Sequence, residues 1–332
     1  MRRLLFGFAI LVISVLGACA PKTVYRDNLG SVFGTTYSFI YQSPTDYHQE
    51  VRELLASFNS SLSTFDTGSV ISRINRNDTG VVPDSFFLKV FNTGIRIYRQ
   101  TDGAFDMTVA PLVNAWGFGF SNKDSVSAQL IDSLMLLVGM DKLRLQDGVI
   151  VKERPEIMLD ASAIAKGYAV DVVAEFFESK GVENYLVEIG GEMRSRGVNR
   201  RSEPWRVGID KPIDGLPTES RDLQMVISFS GLAIATSGNY RNFYIQDGKK
   251  FAHIIDPKTG FPVDHSLLSV SIIAQDCMTA DAYATACMVM GLNRAREFVE
   301  GIKGVEACFI FHSDEDEYGL YMTEGFKSLV IE

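Results

Sequence analysis

"NYLVEIGGEMRSRG", residues 184–197, sets one β-forming run directly after another, with only a glycine pair between them. Further strand-like runs follow at WRVGID (205–210), LQMVISFS (223–230), LAIATSG (232–238), NFYIQ (242–246) and LLSVSIIA (267–274) before the next helical pattern arrives. A doubly wound parallel sheet would alternate strand with helix. Long antiparallel-looking strand runs with the helices gathered elsewhere predict an α+β fold instead.

Outward from this block the helices separate cleanly. Residues 46–62 carry Val51, Leu54, Leu55, Phe58 and Leu62 at helical spacing, and SFFLKVFNTGIRIYRQT (85–101) is a second amphipathic run. Residues 124–139 contain another helix, and 142–159 a pair of short strands. GYAVDVVAEFFESKG (167–181) aligns Val170, Val173, Ala174 and Phe177 on one stripe and stops at Gly181. Nearer the N-terminus, GSVFGTTYSFIYQS (30–43) reads as a strand opened by glycines. After the helix at 278–291, a helix near 292–302 and strands at 305–312 and 328–331 close the chain. No internal repeat, low-complexity tract or interdomain linker interrupts residues 30–332, which read as one intertwined catalytic unit after a linker at 19–29.

With 332 residues, 46% hydrophobic and 22% charged, the composition is that of an ordinary globular chain. A formal charge of −9 argues against nucleic acid as partner, because such binding rests on clustered Lys and Arg. The first residues, MRRLLFGFAILVISVLGAC, combine Arg2 and Arg3 with an apolar run from Leu4 to Leu16, too short to span a bilayer and suited to a signal peptide over 1–18. Leu16-Gly17-Ala18-Cys19 resembles a bacterial lipobox, with Cys19 as the lipidated N-terminus. Ordinary cleavage after ACA (18–20) is the other reading, and either one exports the protein. Cys277, Cys287 and Cys308 lack zinc-site spacing and sit in apolar contexts, and the four histidines are scattered without an H-E-x-x-H pattern.

Neither a G-x-x-x-x-G-K-[ST] loop nor a strand-linked G-x-G-x-x-G is present, so the usual phosphate cradles are absent. What the sequence offers instead is polar residues in turns beside apolar segments. MTADAYATACMVMG (278–291) puts Asp281 and Thr285 four residues apart, on one face of a helix. Either the two oxygens converge on a hard cation, or Thr285 back-bonds to the Asp281 carbonyl and Asp281 helps cap its helix. IMLDASAIAKGYAVD (157–171) sets Asp160 at a strand end and Lys166 at a helix start, where backbone N–H groups favour anionic oxygens; Asp160 or Ser162 as plain cap is the alternative. HIIDPKTGFPV (253–263) holds His253, a candidate general base, beside a turn that Asp256-Pro257 initiates. IATSGNYRNFY (234–244) supplies hydroxyls, Arg241 and tyrosines, and TDGAFDMTVAPL (101–112) places Asp106 and Thr108 next to Phe105.

Taken in order, GSVFGTTY, LSTFDTGSVISRIN, TDGAFDMTVAPLVNAWGFG, LDASAIAKGYAVD, YLVEIGGEMRSRG, IATSGNYRNFY, HIIDPKTGFPV and CMTADAYATA resemble the ApbE family of FAD:protein FMN transferases over residues 30–292. The resemblance implies an Mg²⁺-dependent enzyme, anchored through lipid on Cys19 and facing the periplasm. It would cleave the FAD pyrophosphate, attach FMN to a Thr or Ser of an acceptor protein and release AMP. Carried over by motif, Asp281 and Thr285 would ligate the metal, with the main chain of Ala163 and Ala284. Phe33, Phe65, Ala104, Phe105, Asp106, Asp160, Lys166 and Ile254 fall where the family contacts FAD. Phe33 stands where Met is common and Phe65 where Tyr is frequent, which removes one possible flavin hydrogen bond.

Mg²⁺ prefers near-octahedral oxygen coordination and keeps part of its shell for substrate, which suits such a ligand set. For the proton of the attacking hydroxyl, His253 is the first candidate base and Asp281 the second. The implied acceptor carries a D-G-x-[ST]-G-A-[ST]-like segment, as in flavinylated subunits of membrane redox complexes. This chain has no such segment, so self-flavinylation is not expected. Two other readings use the same residues: an FAD pyrophosphatase that releases FMN and AMP, and a non-catalytic FAD-binding lipoprotein.

Overall fold

The computed structural model describes residues 24–119, 126–214, 222–240, 243–246, 249–313 and 318–331. The signal segment with Cys19, and Arg241, lie outside the described residues. In chain order the strands are β1 (Tyr25–Val32), β2 (Thr35–Gln42), β3 (Leu143–Gln146), β4 (Val149–Lys152), β5 (Tyr185–Ile189), β6 (Glu192–Arg196), β7 (Trp205–Asp210), β8 (Leu223–Phe229), β9 (Ala233–Gly238), β10 (Phe243–Gln246), β11 (Lys249–Ala252), β12 (Leu267–Ala274), β13 (Glu306–Phe311) and β14 (Gly319–Met322). The helices are α1 (His48–Leu62), α2 (Val70–Asn75), α3 (Ser85–Gln100), α4 (Ala110–Ala115), α5 (Ala128–Met135), α6 (Ala165–Ser179), α7 (Cys277–Met290), α8 (Leu292–Glu300) and α9 (Glu324–Lys327).

One sheet, in the order β1-β2-β5-β6-β9-β12-β13-β14, organises the molecule, and its neighbouring strands pair antiparallel throughout. The α+β expectation therefore holds. Both faces of the sheet are covered, which is why every residue of β12 is buried instead of alternating. Val270 and Ile272 point into the main core with α1, α3, α6 and α7, while Ile273 points into a second cluster with the β7–β8 ribbon and Phe326 of α9. The period-2 geometry of a strand divides its side chains between the two layers in this way. The stripe expected in α6 is the buried one: Val170, Val173, Ala174 and Phe177 are all inaccessible.

Several local expectations are corrected. Residues 25–42 form a hairpin and not a single strand opened by glycines, because Phe33 (φ 53°) and Gly34 (φ 74°) make a two-residue turn of the left-handed kind that matches strand twist. Since β1 starts at Tyr25, it occupies part of the stretch read as linker to residue 29. At the C-terminus, 328–331 is a turn with a single bridge from Val330 to Ile227, and the last strand is β14. The short α2 and β11 are each too brief to show a repeat in the sequence. Among the described residues no helix is long and apolar enough to cross a membrane.

Candidate active site

Helix α7 leaves β12 at the sheet centre and packs against α6. Its own start is capped by Asp276, whose side chain accepts from Thr279 N–H at 2.8 Å. Asp171 of α6 reinforces the same end, accepting from Cys277 N–H at 2.9 Å and Met278 N–H at 2.8 Å while pairing with Arg194 at 2.9 Å. With these groups in place, Asp281 is not needed as a cap for α7. Its Oδ2 instead accepts from Gly167 N–H at 2.9 Å, in the first turn of α6, a helix whose N-cap residue, Ile164, makes no side-chain cap.

Thr285 does not back-bond. Among the described residues neither Asp281 Oδ1 nor the Thr285 hydroxyl has a hydrogen-bond partner, and both residues line the same cleft. The capping alternative for this pair therefore fails: Thr285 does not back-bond, and the one bonded oxygen of Asp281 serves α6 and not its own helix.

The cleft has a volume of about 430 Å³, within the usual range for small-molecule sites. It gathers Ala104, Phe105, Asp106, Asp160, Ala163, Lys166, His253, Ile254, Asp281 and Thr285 from segments far apart in the chain. Phe33 and Phe65 line a second chamber of about 650 Å³ with Phe58 and Leu62, and Ser162 and Lys166 line both chambers. Phe65 is 75% exposed at its mouth, while Phe33 packs on Phe58 with ring centroids 5.5 Å apart. Ala284 lines neither chamber. It is fully buried inside α7, where its carbonyl belongs to the helix ladder.

The turns explain how these side chains are held. Asp160 Oδ1 accepts from Ser162 N–H at 2.8 Å and from its hydroxyl at 2.5 Å, so it closes a local turn and leaves α6 uncapped, contrary to the capping alternative. Asp256 closes the PKTG turn, accepting from Lys258 N–H at 2.8 Å, and Ile254 is fixed by the 3.0 Å bond from Val263 N–H to its carbonyl. His253 sets its ring edge-on to Phe118, centroids 6.4 Å apart. Asp106 accepts from Thr108 N–H at 2.7 Å and from its hydroxyl at 2.5 Å, and Thr108 in turn accepts from Gly139 N–H at 2.6 Å.

Glu192, at the start of β6, lines the cleft at 3% exposure and pairs with Lys166 at 2.5 Å. Sequence reasoning passed over it. The available signal was a carboxylate directly after Gly190-Gly191 at a strand start. Desolvation pulls the Lys166 ammonium toward losing its proton, but Glu192 and Asp281 outweigh that pull and hold it charged. Burial pushes both carboxyls up, and Lys166 opposes it in each.

Burial also raises Asp106, from the ordinary 3.8 to about 6, against the pull of Thr108. The folded chain thus holds this proton more tightly than the unfolded chain. The stability it brings is complete below about pH 4 and is lost as pH rises through about 6. Asp106→Asn cannot ionise, so its stability relative to the parent should climb by about 2 kcal/mol between pH 4 and pH 7. Melting temperatures of the two chains across that range are the check, and a pH-independent difference would refute it.

These features define an α+β protein with two adjoining chambers that share Ser162 and Lys166, the first lined by a carboxylate oxygen, a hydroxyl, a lysine and a histidine. The ApbE family model matches residues 33–309, and the chain belongs to the ApbE family. It is 37% identical to an FAD:protein FMN transferase of Vibrio cholerae, over 98% of both chains, and 35% identical to one of Haemophilus influenzae, over 99% of both. Among solved structures it superposes on the flavin transferase ApbE from Vibrio cholerae with a TM-score of 0.83, at 37% identity, covering 92% of this chain and 99% of that one. The apo form of Pseudomonas stutzeri flavinyl transferase ApbE gives a TM-score of 0.81 at 30% identity, covering 92% and 97%.

Proposed function

We infer that the protein is an FAD:protein FMN transferase, and we propose that it works with Mg²⁺ held at Asp281 and Thr285. The observation that carries the reading is that Lys166 lines both chambers and stands beside the unpartnered oxygen of Asp281. A ligand with two ring systems joined by a diphosphate suits that shape, with its charged middle at the lysine.

The donor set fits the ion. Among the described residues no group of three or more His, Cys, Asp or Glu side chains forms a metal cage. A carboxylate oxygen, a hydroxyl and the Ala163 main chain are hard donors that leave most of a coordination sphere to water and phosphate, as Mg²⁺ favours. When bound there, Mg²⁺ supplies charge neutralisation on the pyrophosphate and in-line alignment for attack.

The chain's own residues do the rest. Lys166 presents a fixed positive charge to the phosphates. Ala104, Phe105, Asp106, Asp160 and Ile254 wall the main chamber, and Phe33 and Phe65 offer apolar surface to a ring in the second. Asp281 commits Oδ2 to Gly167 N–H, and Oδ1 would hold the cation; His253 takes the proton from the acceptor hydroxyl as its oxygen attacks the FMN-side phosphorus and AMP departs. The acceptor in this reading carries a D-G-x-[ST]-G-A-[ST]-like segment of a membrane redox subunit. The enzyme would face the periplasm, lipid-anchored at Cys19.

The test combines the soluble form with FAD, Mg²⁺ and an acceptor bearing that segment. Flavin fluorescence should appear on the denatured acceptor band and disappear when a chelator removes the metal. Free FMN and AMP with an unlabelled acceptor would instead make the protein a pyrophosphatase, and unchanged FAD would leave it a flavin-binding protein.

A further inference from the structure

Lys166 stands beside the candidate ligand Asp281 without binding it. Helices α6 and α7 touch at Gly167, the next residue, where an added Cβ would lie 2.7 Å from Asp281 Cβ and 2.3 Å from the Cys277 carbonyl oxygen. At so close an approach the ammonium feels two buried carboxylates, Asp281 and Glu192, and both act to keep it charged. Poorly screened opposite charges attract strongly, so a lysine facing a single buried carboxylate closes onto it.

Here it closes onto Glu192. The Nζ to Oε1 distance is 2.5 Å, and among the described residues this is the only ion pair Lys166 makes. Asp281 keeps one hydrogen bond, from Gly167 N–H to Oδ2, and Oδ1 remains without a protein donor. Glu192 opens strand β6, where its backbone pairs with Ile189 of β5. Its second oxygen, Oε2, is buried with no hydrogen-bond partner. That arrangement costs free energy and contributes nothing to the sheet. With both carboxyls ionised, two carboxylates and one ammonium carry one net negative charge; without Glu192 the count falls to zero, and the attraction for a cation weakens.

We propose that Glu192 is a positioning residue that draws the Lys166 ammonium away from Asp281 and so keeps Asp281 open to a divalent cation. The inference rests on the metal reading of Asp281 given above. It predicts a particular pattern in a double-substitution cycle. Glu192→Gln should release the lysine onto Asp281 and weaken cation binding. Adding Lys166→Met to that variant removes the competing ammonium and restores the net charge, so binding should return.

The experiment titrates Mn²⁺ into the full chain without FAD and follows the free ion by its paramagnetic resonance signal. Glu192→Gln should bind Mn²⁺ about tenfold or more weakly. The double variant should recover to within about threefold of the parent. A purely structural role for Glu192 would leave the double variant as weak as the single, and that result would overturn the proposal. Parental affinity in Glu192→Gln would overturn it as well. Failure of the unaltered chain to bind Mn²⁺ would sink the metal reading and this inference together. Melting curves of all the chains confirm that each is folded.

Discussion

Replacing Asp281 by alanine should lower magnesium-dependent flavin transfer by about a thousandfold or more, since a metal ion contributes several kcal/mol to charge stabilisation and each 1.36 kcal/mol is a factor of ten. Two effects of the substitution need separating. Oδ1 has no hydrogen-bond partner among the described residues, and on the proposed metal reading its loss would take the cation with it. Oδ2 receives Gly167 N–H in the first turn of α6, and its loss leaves a buried donor unsatisfied at a cost of about 1–3 kcal/mol of stability.

Asp281→Asn resolves the two. An amide oxygen can still accept from Gly167, so the melting temperature should stay closer to that of the parent, while a neutral ligand binds Mg²⁺ poorly and activity should fall almost as far as in the alanine variant. Initial rates of acceptor labelling across a magnesium titration provide the measurement. If either variant keeps magnesium-dependent turnover near the parental level, Asp281 is not a ligand.

Gly167→Ala tests the helix contact that places Asp281. Alanine is ordinarily the better helix former, by about 1 kcal/mol. At this position its methyl would lie 2.3 Å from the Cys277 carbonyl oxygen and 2.7 Å from Asp281 Cβ, both parts of α7 that cannot rotate aside. Overpacking of this kind costs about 1–3 kcal/mol and is relieved only if the helices part, so the propensity gain is outweighed and the chain should melt lower. Parting them also shifts the candidate ligand relative to Lys166 and His253. A displacement of about 1 Å at a reacting centre costs on the order of a hundredfold in rate. An alanine variant that melts at or above the parental temperature and labels acceptor at full rate would show that the contact does not set the site.

Much of the architecture was legible because it follows from local pattern. The strand runs after residue 184 announced antiparallel pairing, and the stripe through Val170, Val173, Ala174 and Phe177 announced the buried face of α6. The turn at Phe33 was hidden. Position 33 demands a left-handed backbone that favours glycine, asparagine or aspartate, and a phenylalanine there gives no turn signal. The last residues misled because LVIE looks like a strand, yet among the described residues it forms a single bridge, Val330 to Ile227.

For the site, Asp281, Thr285, Lys166 and His253 could be singled out by residue type and neighbourhood, and their convergence on one cleft follows from the sheet order. Ala284 could not be placed that way, since four-residue spacing brings Thr285 round to Asp281 but says nothing of what packs against the residue between them. Glu192 was invisible for a related reason. What distinguishes it is an ion pair to a residue 26 positions earlier in the chain, set by the packing of a strand start against a helix start. Helical spacing and strand succession are properties of neighbouring residues and can be read along the chain. Which carboxylate of two takes the lysine, and which is left open, depends on distances across the core that no local pattern encodes.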